Sequence, residues 1–162
     1  MNPHGGPNAR DYWGYNEEHQ FLASRGYAVL SMNFRGSTGY GRNHVKMANG
    51  EWGRKMQDDV TDSVNWAVEQ GIADPDNVCI YGASYGGYAV MAGITKTPKM
   101  YKCAVNYVGV TDMGLLFSKM PKVWEIWEEQ QKIEIGDYEN DKEYLDAVSP
   151  INLVDRIETP LY

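Results

Sequence analysis

Gly82-Ala83-Ser84-Tyr85-Gly86-Gly87 satisfies the pattern G-x-S-x-G. A serine on a sharp turn from strand to helix has its hydroxyl presented above a sheet edge. Small residues two before and two after are needed there, because the strained turn brings neighbouring backbone close. The first turn of the helix adds free N–H groups where negative charge develops. The chemistry implied is acyl transfer, with Ser84 as nucleophile and the N–H of Tyr85 as an oxyanion donor. Taken alone, an ordinary glycine-rich turn explains these residues equally well. His4-Gly5-Gly6-Pro7 shifts the balance, because it lies upstream of the first complete strand-like run, where a glycine loop can bring a second N–H to the reacting carbonyl. Removing one such donor typically costs about 10²–10³ in rate.

These residues need a frame. Tyr27 to Asn33, Asn77 to Tyr81 and Lys102 to Val108 are short β-branched or aromatic runs that read as buried strands. Residues 14–25, 59–70 and 86–96 read as helices. In the middle one, Val60, Val64, Ala67 and Val68 recur on one face. Asp58 and Asp59 stand where carboxylates suit the free N–H groups of a helix start. Strand and helix in alternation imply an α/β fold, a mostly parallel sheet with helices on both faces. After Gly109 the rhythm changes: residues 112–147 hold two or three helix-like segments, including Val123 to Lys132 with its Trp124 and Trp127. Thr159-Pro160-Leu161-Tyr162 looks like a strand just beginning, and His4-Gly5-Gly6-Pro7 like a loop with no strand before it. The expectation is a partial domain over 1–162, incomplete at both ends.

Composition narrows the partners. The chain has 162 residues, 43% hydrophobic and 12% aromatic, which excludes disorder as the default. A net charge of −7 without a local Lys/Arg cluster opposes nucleic acid and anionic membrane surfaces. No apolar run approaches the roughly 20 residues of a membrane helix, and the first residues do not form a secretory signal, so a cytoplasmic location is expected. Cys79 and Cys103, each inside a strand-like run, read as buried free thiols.

In order along the chain come His4-Gly5-Gly6-Pro7, Gly26-Tyr27-Ala28-Val29-Leu30, Asn33-Phe34-Arg35-Gly36-Ser37-Thr38-Gly39-Tyr40-Gly41, Trp52-Gly53, Asp58-Asp59-Val60, Ser84-Tyr85-Gly86-Gly87-Tyr88 and Ser149-Pro150. This series resembles the catalytic domain of the prolyl oligopeptidase family of serine peptidases, over nearly the whole chain. The resemblance implies an α/β-hydrolase domain, usually joined to an N-terminal β-propeller, that cleaves short peptides through an acyl-enzyme on Ser84, with no metal or organic cofactor. It implies Gly6 and Tyr85 as the oxyanion N–H donors. Histidine at position 4, rather than tyrosine, is similar to the acylaminoacyl-peptidase-like branch and makes His4 a loop-ordering residue. In this family the triad acid and base follow the serine, and the resemblance places both beyond Tyr162. His4, His19 and His44 all precede Ser84. The chain alone is therefore expected to be nearly inactive.

Alternatives stay open: a carboxylesterase on the same fold, or a non-catalytic truncated α/β module. An open edge strand and exposed apolar surface would favour a homo-oligomer. Arg35 is expected to order the glycine-rich loop through an ion pair rather than to bind substrate. Asp112 is not expected to be the triad acid. Trp124, Trp127 and Tyr144 could line a pocket or belong to the core.

Overall fold

The computed structural model describes residues 1–162. Seven α-helices, α1 (Glu17–Ala23), α2 (Arg42–Lys46), α3 (Lys55–Glu69), α4 (Tyr85–Lys96), α5 (Met113–Ser118), α6 (Glu128–Glu134) and α7 (Lys142–Ala147), surround two strands, β1 (Cys79–Ala83) and β2 (Cys103–Tyr107). The strands pair in parallel, from Cys79 opposite Cys103 to Ala83 opposite Tyr107. The crossover between them is α4, as a parallel pair requires.

Backbone hydrogen bonds extend this sheet on both sides. The Tyr81 N–H donates to the Met1 carbonyl at 3.0 Å and the Asn2 N–H to the Leu30 carbonyl at 2.9 Å. On the far side Leu161 bridges Ala104 in parallel, with the Tyr162 N–H donating to the Ala104 carbonyl at 3.0 Å. The order is therefore residues 27–33, 1–2, β1, β2, 160–162. The expected strand over 27–33 does not form a ladder, because Asn2 supplies it with only one backbone bond. Nor is it buried: Tyr27 is 56% exposed.

Strand alternation divides the sheet into two faces. Ile80 and Ala104, both fully buried, face α4, which packs on both strands, with α3 beside it. Every residue of α4 from Tyr85 to Thr95 is buried, as expected for a helix apolar all round. Cys79, Tyr81, Cys103 and Val105 point the other way, into an open apolar groove of ≈ 1190 Å³ walled by Phe21 and Leu22 of α1. In that groove Cys79 and Cys103 form a disulfide, with Cα atoms 4.8 Å apart. The free-thiol expectation is thus overturned. The parallel register puts the two residues directly opposite, and local runs do not reveal register.

Two other boundaries differ from expectation. Helix α3 starts at Lys55, so Asp58 and Asp59 sit inside it instead of capping it. Asp58 pairs with Lys96 at 2.7 Å and Asp59 turns the other way to Arg35. The Val123–Lys132 segment is a 3-10 turn over Lys122–Trp127 followed by α6. Trp124 and Trp127 are 43% and 52% exposed, outside the core. Tyr144 does join it, donating its hydroxyl to the Trp52 carbonyl at 3.0 Å beneath the Arg54 guanidinium.

Candidate active site

Strand β1 ends at Ala83, and α4 begins at Tyr85. Ser84 alone makes the turn, with φ 57° and ψ −120°. A non-glycine residue held there costs on the order of 1–3 kcal/mol and persists only where its surroundings over-determine it. The neighbours do so. A Cβ on Gly82 would lie 2.7 Å from the Gly86 carbonyl carbon and oxygen, and one on Gly86 would overlap the Pro3 carbonyl. The Ser84 N–H donates to the Tyr107 carbonyl at 3.0 Å, and the Tyr88 N–H to the Ser84 carbonyl at 3.0 Å. The Ser84 side chain is exposed.

Beneath Ser84 the packing is aromatic. Tyr85 and Tyr88 are buried, with Trp52 edge-on to Tyr85 at 4.6 Å and tilted against Tyr88 at 5.0 Å. The Tyr88 hydroxyl donates to the Val148 carbonyl at 3.0 Å. Burial pushes both phenols well above their ordinary value of 10.0, so Tyr85 offers the site its backbone N–H and not a phenolate.

The His4–Pro7 loop reaches this turn. A Cβ on Gly5 would lie 3.5 Å from the Ser84 Cβ and 3.2 Å from the Ala83 carbonyl. Gly6 has φ 128°, and a Cβ there would come within 2.7 Å of the Asn8 nitrogen. The two separate motifs are therefore brought together. No hydrogen bond within the chain uses the N–H of Gly6, one residue after the Gly5 that meets Ser84, or that of Tyr85, the residue after Ser84.

His4 is occupied elsewhere. Its ring stacks on Phe34 at 4.3 Å. Nδ1 lies 2.7 Å from the Gly5 carbonyl and Nε2 lies 2.8 Å from Ser37 Oγ. A carbonyl only accepts, so Nδ1 carries the proton and Nε2 accepts from the hydroxyl in the neutral ring. His19 Nε2 bonds to Asn2 Oδ1, and His44 Nε2 to the Phe34 carbonyl. No hydrogen bond in the chain reaches the Ser84 hydroxyl.

The supporting contacts are only partly legible in the sequence. Arg35 grips Asp59 through Nε at 2.8 Å and Nη2 at 2.6 Å, and its backbone N–H adds a third bond at 2.9 Å. The carboxylate raises the guanidinium pKa further, and the loop Phe34–Ser37 is thereby tied to α3, as expected of Arg35. Asp112 caps α5 by accepting from the Leu115 N–H at 2.9 Å. Ser149 stands out in the sequence only as part of a motif. Its hydroxyl donates to the Leu145 carbonyl and accepts from the Met113 N–H, which closes the helical segment onto the core. Val108, just past β2, also has positive φ at 48°. Nothing in its own neighbourhood of sequence signals that.

Residues 13–162 match the family model described as the prolyl oligopeptidase family. The chain belongs to that family. It is 48% identical over 98% of its length to dipeptidyl aminopeptidase BIII of Pseudoxanthomonas mexicana. It is 28% identical over 97% of its length to the acylamino-acid-releasing enzyme of Arabidopsis thaliana. The chain spans only 23% and 21% of those two relatives. Among solved structures, a puromycin-hydrolyzing peptidase of Mycobacterium tuberculosis superposes on 99% of the chain with a TM-score of 0.91 at 30% identity. The matched part is 24% of that peptidase. The fold is accordingly that of the α/β-hydrolase peptidases, and the relatives are peptidases much longer than this chain.

Proposed function

We propose that this chain carries the nucleophile half of a serine peptidase site acting on short peptides. Ser84 Oγ attacks a peptide carbonyl and forms a tetrahedral oxyanion, which takes hydrogen bonds from the N–H groups of Gly6 and Tyr85. The amine leaves with a proton, and water hydrolyses the acyl-enzyme. The observation that carries this reading is the exposed Ser84, strained at φ 57°, beside a glycine loop and a helix start whose N–H groups are free. The general base and its acid partner come from outside residues 1–162. What supports this is that His4, His19 and His44 are all hydrogen-bonded away from Ser84.

Within the family, the release of dipeptides is favoured over acylamino acids by the greater identity to the dipeptidyl aminopeptidase, although His4 on its own points to the acylaminoacyl branch. A β-propeller preceding the domain is part of the same reading, supported by the length of the relatives.

The test is fluorophosphonate labelling read by intact mass, on these 162 residues and on the product of the full open reading frame that encodes them, with Ser84→Ala as control. Labelling of the full product at Ser84, with little or none on the 162 residues, is the expected outcome. A folded full product that does not label sinks the catalytic reading and leaves the non-catalytic module. If the full product labels, comparing a dipeptidyl anilide, an acetyl-aminoacyl anilide and a simple ester separates the two peptidase activities from an esterase.

A further inference from the structure

The loop that carries Gly6 is tied on one side to residues 33–38. Ser37 bonds His4 Nε2, the Thr38 N–H donates to the Ala9 carbonyl at 2.8 Å, and Asn33 exchanges two bonds with the Asp11 backbone. On the other side there is one tie. The Asn8 side-chain amide donates to both carboxylate oxygens of Glu134, at 2.8 and 2.9 Å. No other hydrogen bond links residues 3–11 to anything beyond residue 109.

Glu134 is itself held at several points. Gln130 Nε2 donates to its Oε1 at 2.6 Å, and its backbone carbonyl accepts from the Gly50 N–H at 2.9 Å. The next residue, Ile135, is buried in the core. The carboxylate thus sits at a fixed place at the end of α6, on the segment that also carries the exposed Trp124 and Trp127. Asn8, by contrast, is exposed and stands two residues after Gly6, in a turn so tight that Gly6 has no room for a Cβ.

We infer that Glu134 is a positioning residue for the oxyanion loop. Through Asn8 it sets where the Gly6 N–H stands relative to Ser84, and it links that placement to the α6 segment. The inference rests on the catalytic reading above for its consequence in rate, but not for its structural content. An exposed, charge-assisted bond adds little to stability, whereas displacing an oxyanion donor is expensive in rate.

The test uses the product of the full open reading frame, with four measurements: hydrogen exchange over residues 4–9, thermal midpoint, fluorophosphonate labelling rate at Ser84, and kcat and KM on a peptide anilide. Glu134→Ala and Asn8→Ala should each speed exchange in the loop and leave the midpoint nearly unchanged. Both should slow labelling and kcat roughly 10- to 100-fold, with KM altered far less. Glu134→Gln keeps an acceptor and should recover most of the rate. Asn8→Asp sets two carboxylates face to face and should be slow, while the double variant Asn8→Asp/Glu134→Gln exchanges donor and acceptor and should be fast again. Unchanged loop exchange in Glu134→Ala overturns the inference whether or not the protein labels. So does wild-type labelling in that variant, or a double variant no better than Asn8→Asp. If the wild type does not label at all, the catalytic reading fails separately, and the exchange data alone decide the role of Glu134.

Discussion

Helix α4 and the segment from α5 to α7 are both rich in apolar and aromatic residues, yet they are put to opposite uses. Along α4 the side chains from Tyr85 to Thr95 are all buried, against both strands and α3. In the later segment Val123, Ile126 and Trp127 are exposed; of its apolar side chains only Met113, Ile135 and Leu145 are buried, with Leu116, Phe117 and Tyr144 packed against the core at partial exposure. The difference follows from the job at the head of each. Ser84 is held in a disfavoured conformation, and a strained residue survives only when packing leaves no alternative. The segment over 113–147 holds no such residue. It is anchored at a few points, Tyr144, Glu134 and the adjoining Ser149, and presents Trp124, Trp127 and Tyr138 outward.

The largest expected contrast comes from adding one methyl group to each region. Gly86→Ala would drive a Cβ into the Pro3 carbonyl, a clash with backbone that no rotamer relieves. A loss on the order of 4 kcal/mol or more is expected, seen as little soluble folded protein. Gly114→Ala, in α5, meets nothing closer than 3.2 Å and should leave the midpoint within a few degrees. A Gly86→Ala protein as stable as the wild type would mean that the elbow and the His4–Pro7 loop are not in contact.

Breaking the disulfide should have the next largest effect. It closes a loop with a sequence separation of 24, for which chain entropy gives about 3 kcal/mol. Intact mass without reductant should be two hydrogen atoms lighter than with it, and the denaturant midpoint should fall on reduction. Two free thiols in the unreduced protein would restore the sequence expectation for Cys79 and Cys103.

What the sequence makes legible is whatever depends on residue identity at short range. The elbow needs glycine at 82 and 86, the loop needs glycine at 5 and 6, and α4 is apolar all round, so these stand out. Arg35 is readable too, as the lone charge in Asn33-Phe34-Arg35-Gly36-Ser37. Residues 27–33 read wrongly as a strand because a strand is defined by its neighbours, and Asn2 provides one bond where a ladder needs several. Asp58 and Asp59 look like caps only if the helix is started too late. Cys79 and Cys103 look unrelated because register across a crossover helix is a property of packing, not of either run. The Asn8–Glu134 contact joins residues 126 apart and leaves no local trace.

Asp59→Asn should cost less than the disulfide. Arg35 and Asp59 each keep 20% of their side-chain surface, between the exposed limit, where pairs contribute almost nothing, and the buried one. About 1–3 kcal/mol is expected. Arg35→Lys, which cannot reproduce the two-pronged grip, should recover little of the lost order in the Phe34–Ser37 loop. Alkaline titration tests the aromatic core beneath Ser84 in the same range of effect. Tyr85, Tyr88 and Tyr101 are pushed upward by burial, and Tyr81 and Tyr144 to about 12. A phenol raised in the folded state stabilises fully below the unfolded value near 10. That stabilisation fades as pH rises from there through the folded values, because only the unfolded chain ionises early. Stability followed by tryptophan fluorescence in denaturant should be flat in this respect to about pH 10 and fall above it. A flat profile to pH 12 would mean that these phenols are hydrated.

The smallest effect is expected at Trp127, and it is informative for that reason. At 52% exposed, with no aromatic partner and no hydrogen bond from its indole, its truncation removes a partly wetted surface and opens no cavity. Trp127→Ala should shift stability by no more than about 0.5 kcal/mol, whereas Trp52→Ala, 5% exposed between Tyr85 and Tyr88, should cost about 3–5 kcal/mol. Measured side by side by denaturant melts, the pair reads the contrast between the two regions in one residue type. If Trp127→Ala cost as much as Trp52→Ala, the α6 segment would be part of the core. Its tie to the Gly6 loop would then be one strut of a rigid body rather than a separate contact.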